Sequence, residues 1–237
     1  MSELTEPRAN LIQKLFKIFV HPLDFMKVRE FTDSAWFPLM IVTIGLVALR
    51  LTLVPEFRKE YSSPEFLKSY MERRQVTEEQ AAIDIKRIDE IAPVLSILEA
   101  PVMVVLGAAG VTLFLSLIGR IGYKTKLPFR EIFNMTAWAS VVSIFPILVQ
   151  TGMKYYGLGD GLPTNISYYL PKSLAGSYLS NLLQMMDAFL FWQVWLLGLG
   201  MAALYGVSKQ RAISSVGTLF VILAIFNAMA ITLTAQQ

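Results

Sequence analysis

Apolar residues run together in five stretches, Trp36–Val54, Val94–Gly119, Ile132–Gly152, Leu179–Gly206 and Ala212–Thr234, and the intervening segments carry most of the charge. Each stretch holds about 19 to 28 residues, which at ~1.5 Å per helical residue matches or exceeds a hydrocarbon core of about 30 Å. The pattern predicts an all-α, polytopic membrane protein. It comprises an N-terminal segment over 1–35 and a five-helix transmembrane bundle over 36–237, with spans 36–54, 94–119, 132–152, 179–206 and 212–234.

Two extramembrane regions have helical patterns of their own. Asn10 to Val20 places Leu11, Ile12, Leu15, Phe16 and Phe19 at helical spacing, with Gln13, Lys14 and Lys17 elsewhere. Such an amphipathic helix lies in the interface or docks on the bundle, and His21-Pro22 should end it, because a residue before proline avoids the helical region. The loop 55–93 is too long to be structureless. Ser63-Pro64-Glu65 reads as a capped start with proline at the first helical position, and Thr77-Glu78-Glu79-Gln80 as a capping box opening a helix to about Ala92. A solvated helical hairpin capping the bundle is the plain reading; a partner-binding element is the sharper one.

Composition narrows the function. Hydrophobic residues make up 54% of the chain and charged residues 16%, far from a soluble domain. Cysteine is absent and there is a single His, which removes disulfides, thiol catalysis and any ordinary zinc or haem site, so no cofactor is expected. The net charge of +3 comes without a long basic run, and nothing points to nucleic acid. No signal peptide is visible, and the first span is expected to serve as the insertion signal. Gly157-Leu158-Gly159-Asp160-Gly161 reads as a turn, and the sequon Asn165-Ile166-Ser167 carries no weight, since such triplets arise by chance.

Short loops set the orientation. Arg120, Lys124, Lys126 and Arg130 in one, and Lys209 and Arg211 in another, place both inside by the positive-inside rule, with the N-terminus cytoplasmic and the C-terminus periplasmic or extracytoplasmic. The loop 55–93, placed outside, runs against the rule with seven Lys and Arg. Tyr155, Tyr156, Tyr168, Tyr169 and Tyr178 crowd the loop after the third span as an aromatic belt does.

Polar residues within the spans are the candidate site, because a charge there is costly and usually faces the bundle or water. Arg50 and Glu99, on consecutive spans, are natural ion-pair partners unless each snorkels separately to the interface. Ser180, Gln184 and Asp187 recur at i, i+4 and i+7 and predict a polar face on the outer half of the fourth span. The same face continues into Gly198 and Ala202, a small-xxx-small pair for close packing, with Gly107 and Gly110 in the second span as the matching surface. Pro101 and Pro146 should bend the second and third spans.

Phe19-Val20-His21-Pro22-Leu23-Asp24-Phe25, Lys126-Leu127-Pro128-Phe129-Arg130-Glu131-Ile132-Phe133 and Gly206-Val207-Ser208-Lys209-Gln210-Arg211-Ala212, in that order, resemble the Yip domain family of Ypt/Rab-interacting proteins. The resemblance covers the chain from about Phe16 to the end and implies five spans and a cytoplasmic N-terminus. It also implies vesicle-trafficking partners, Rab GTPases and other membrane proteins, for eukaryotic members that carry an Asp-Leu-Tyr-Gly-Pro signature near the first span. Here that place holds Asp33-Ser34-Ala35-Trp36-Phe37-Pro38, so GTPase binding does not carry over and the chain looks more similar to the bacterial branch. The expected function is a non-enzymatic inner-membrane scaffold, adaptor or membrane-organising factor, associating with itself or another membrane protein in the lipid bilayer. The alternative is a small transporter or accessory transport subunit using Arg50, Glu99 and Asp187, which a continuous polar path to the inner leaflet would favour.

Overall fold

A computed structural model describes residues 10–27, 29–32, 34–61, 63–156, 164–174 and 176–234. The described residues form ten α-helices: α1 (Leu11–Val20), α2 (Pro22–Lys27), α3 (Trp36–Tyr61), α4 (Pro64–Arg74), α5 (Glu78–Leu117), α6 (Phe129–Ala139), α7 (Ile144–Tyr155), α8 (Tyr178–Gln184), α9 (Ala188–Tyr205) and α10 (Lys209–Thr234). Five segments are long and apolar enough to cross a membrane: Trp36–Pro55, Ile97–Gly122, Phe129–Met153, Ala188–Tyr205 and Lys209–Thr234. The chain is an all-α, multi-pass membrane bundle. The Gly157–Gly161 turn expected from the sequence lies outside the described residues.

The boundaries expected around the first loop need correction. α3 runs through Pro55 to Tyr61, and α5 is one helix of 40 residues that passes both Pro93 and Pro101. At ~1.5 Å per residue α5 is about 60 Å long, twice a hydrocarbon core, so it crosses and then projects. A proline removes one i→i−4 bond, and a long helix held by neighbours on both sides survives that loss. The charged loop is therefore an extension of two spans, closed by α4. Ser63 caps α4 by accepting from Phe66 N at 3.1 Å, and Gln75 ends it in a left-handed conformation (φ 54°). Thr77 caps α5 through Gln80 N, yet the Gln80 side chain turns forward to donate to Asp84 Oδ1 at 3.0 Å, so the expected reciprocal capping box is half made. Tyr70 donates to Asp84 Oδ2 at 3.3 Å and ties α4 to α5.

Two spans are interrupted. Between α6 and α7 the backbone tightens into a 3₁₀ turn, Ser140–Ser143. Pro146 follows in the first turn of α7, where its ring and missing N–H oppose a regular bond to Val142. The fourth apolar run, expected as one helix over 179–206, breaks between Gln184 and Ala188. The segment around Asn165 lies against the break in an isolated antiparallel bridge: Ile166 N donates to Met186 O and Ala188 N to Thr164 O, both at 3.3 Å.

The core lies toward the basic end of the bundle, and residues before the first span supply much of it. Ile18, Phe25, Met26 and Phe31 are buried with Trp138, Leu196, Leu197 and Met201. Phe19 packs edge-on against Phe145 (5.1 Å) and Trp192 (5.7 Å), both inside crossing segments. Asn134 Nδ2 donates to Thr32 O at 2.7 Å, and Trp138 Nε1 to Ser34 O at 3.0 Å. The amphipathic helix expected at the N-terminus is present as α1, with Asn10 and Gln13 forming a capping box. Its apolar residues divide between two faces: Ile18 and Phe19 dock on the bundle, whereas Ile12, Phe16 and Val20, at i, i+4 and i+8, stay exposed.

Candidate functional site

α3 and α5 are packed along each other, which brings Arg50 opposite Glu99. Arg50 Nη1 donates to Glu99 Oε2 at 2.7 Å and Nη2 to Oε1 at 3.5 Å. The pair sits at the non-basic end, with Glu99 two residues inside the Ile97–Gly122 segment and Arg50 five from the end of Trp36–Pro55. The side chains remain 27% and 51% accessible outside the protein, so the bond belongs to the bundle edge and not its interior. Both residues stand near the ends of their segments, where headgroups and water reach the exposed pair, and this puts the coupling at about 0.5–1 kcal/mol, far below a buried pair. Arg50→Glu and Glu99→Arg are each expected to lower the yield of folded protein, and the double exchange to restore it. A double exchange no better than either single change would show independent side chains.

Ser180, Gln184 and Asp187 do not share a helical face, because the break before Ala188 separates the first two from the third. Asp187 is the N-cap of α9: its Oδ1 accepts from Phe189 N at 2.7 Å and Leu190 N at 2.9 Å. A carboxylate there meets the positive end of the helix dipole and satisfies donors that no carbonyl reaches. The backbone carbonyl of Gln184 accepts from Asn165 Nδ2, and Ser180 N donates to Ser177 Oγ at 3.2 Å. The polar link between helices is made instead by Asn181, buried, whose Nδ2 donates to Thr232 Oγ1 on α10 at 3.0 Å. Sequence reading passed over Asn181; an amide side chain within an apolar run is the signal that finds it. Since Asn caps as well as Asp, Asp187→Asn should leave stability within about 0.5 kcal/mol, while Asp187→Ala should cost about 1 kcal/mol. Thermal unfolding of the two purified variants checks both; equal losses would remove the capping role.

Of the small residues, Gly198 faces a different partner from the one expected. A Cβ on Gly198 would stand 2.6 Å from Ile213 Cγ1 and 2.7 Å from Ile213 Cα, so it is α10 that closes on α9. Gly107 and Gly110 are not the matching surface: a Cβ on either meets nothing within 4 Å. Their neighbour Ala108 is the buried residue of that turn, packed with Leu39 and Ala137. The second span touches α9 lower down, where Gly119 admits the Tyr205 ring.

At the basic end two arginines absent from the sequence-based site hold helix C-termini. Arg29, itself at φ 58°, donates from Nη2 to Ala203 O (2.7 Å) and Leu204 O (3.3 Å), the last carbonyls of α9. Arg211 Nη2 donates to Gly122 O at 2.8 Å with its guanidinium 5.3 Å from the Tyr123 ring. Cations at these ends meet both orphan carbonyls and the negative pole of the dipole.

The arrangement is thus one of ties between helices, with charges gathered at the two ends and α9, which has Gln193 as its one amide side chain, uncharged between them. No curated protein and no solved structure matches the chain. The Yip1 domain matches it over residues 16–231, from the docking residues of α1 to the last turn of α10, and the chain therefore belongs to the Yip1 domain family.

Proposed function

We propose that this protein is a non-enzymatic scaffold or adaptor of the inner membrane, with the N-terminus and the basic loops on the cytoplasmic side. The projecting end of α5 carries the reading. Ile83 and Ile91 are 50% and 43% exposed and lie 14 and 6 residues before the crossing segment at Ile97, about 21 and 9 Å along the helix. Together with the exposed Val94, Leu95 and Leu98 they fall within one side of α5. An apolar stripe that leaves the crossing segment at Leu98 and continues along the projecting part of the helix to Ile83 suits another helix of a membrane-protein partner or a second copy. A transport role has no observation in its favour: Arg50, Glu99 and Asp187 all stand at one end and each has a local bond.

The native chain has no cysteine, so one substituted residue is a clean reporter. In intact cells Ile91→Cys should react with an impermeant maleimide, and a photoreactive group attached there should form a protein adduct whose mass tells a second copy from another partner. Ile83→Asp with Ile91→Asp should abolish the adduct without loss of folded protein. Labelling only after lysis would reverse the orientation, and an unchanged adduct in the aspartate variant would end the adaptor reading.

A further inference from the structure

Between α5 and the start of α6 a groove of about 570 Å³ opens on the outer face of the bundle. Its walls are Leu113, Phe114, Leu117 and Phe129, between 41% and 58% exposed, and its basic end holds Arg120 and Lys126. No acidic residue lines it, and among the described residues neither cation has an ion-pair partner. The groove belongs to the crossing segments Ile97–Gly122 and Phe129–Met153, so in a membrane its open side faces lipid. From Gly110 in α5 to Arg120 in the π-helical turn Ile118–Gly122 that follows, it extends ten residues or about 15 Å, the thickness of one leaflet's hydrocarbon.

We infer that this groove is a binding site for an anionic phospholipid, with its phosphate between Arg120 and Lys126 and an acyl chain along Leu117 and Leu113 toward Gly110. Three features converge. The length is that of an acyl chain in one leaflet, the apolar walls stop where the crossing segment stops, and the two cations, with no ion-pair partner among the described residues, stand at headgroup level. A basic pocket between spans at the membrane surface is the arrangement that recognises lipid phosphates. Gly110 keeps the inner end open: it lines the groove, and a Cβ added there meets nothing within 4 Å, so a larger side chain would grow into the acyl path.

The test is native mass spectrometry of the delipidated full-length protein, titrated with palmitoyl-oleoyl phosphatidylglycerol and with the phosphatidylcholine of the same chains. The wild type should retain one phosphatidylglycerol in preference to phosphatidylcholine. Each cation near an anionic headgroup contributes about five-fold, so Arg120→Gln with Lys126→Gln should weaken phosphatidylglycerol binding by about 25-fold and leave phosphatidylcholine unchanged. Gly110→Leu, which has room to fold, should weaken both lipids, whereas Lys68→Gln with Arg73→Gln at the opposite end should change neither. Equal affinity of the wild type for the two lipids, or full retention in either groove variant, would overturn the assignment. Displacement of the lipid by millimolar glycerol 3-phosphate would do so too, by showing a site for a free anion.

Discussion

Trp138→Ala is expected to destabilise the bundle by about 3 kcal/mol, at the low end of the range for aromatic truncation. Trp138 is 1% exposed and meets two helices and the segment that joins them: Phe25 of α2 at 5.4 Å, Phe37 of α3 at 6.1 Å, and Ser34 O through its indole N–H. The low end applies because the alternative environment of this surface is lipid, so the loss is of van der Waals contact and a cavity, with little transfer from water. Trp138→Phe keeps most of the ring contact and gives up the hydrogen bond, a loss of about 1 kcal/mol. Because Phe25 and Trp138 touch, Phe25→Ala combined with Trp138→Ala should cost less than the sum of the two. Denaturant titration in detergent micelles measures all four; additive losses would mean that the segment before the first span is not docked on α6.

Gly198→Leu should have an effect of similar size by the opposite route. The introduced Cβ would meet the Ile213 backbone at 2.7 Å, and a helix backbone cannot turn away as a flexible side-chain end can. α9 and α10 must then separate by an ångström or more, loosening the contacts of Val194 and Val216 with the rest of the core. Overpacking of this kind costs about 1–3 kcal/mol. Gly110→Leu provides the internal contrast, since its Cβ has open space and its effect should stay within about 0.5 kcal/mol. The ratio of heat-stable, monodisperse protein in the two variants separates a packing glycine from a groove glycine. Equal behaviour would show that α9 and α10 have room to spare.

The division between what sequence shows and what tertiary structure adds follows from the range of the forces involved. Length and apolarity of a run are local quantities, so five crossing segments, the amphipathic character of 11–20 and the capped start at Ser63 could all be read from the chain. The resemblance carried by Phe19–Phe25 and Lys126–Phe133 pointed to the family that the match over 16–231 shows. Helix ends inside apolar runs were less legible. Pro93 looked like a stop and was not, because a single missing bond is affordable in a helix of 40 residues, while Asp187 looked like a mid-span charge and proved to be a cap. Nothing local distinguishes those cases: Asp187 becomes a cap because Thr164 to Ile166 arrives to satisfy the backbone at the break. The partners of Gly198, Asn181 and Arg29, at Ile213, Thr232 and Ala203, were likewise decided by which helices lie side by side. By itself the sequence determined the solvent, the number of crossings and the basic end, since burial in lipid depends on composition along one helix. Only the tertiary structure decided which face of each helix meets which neighbour, because between helices in a bilayer shape and hydrogen bonding choose the partner and hydrophobicity does not.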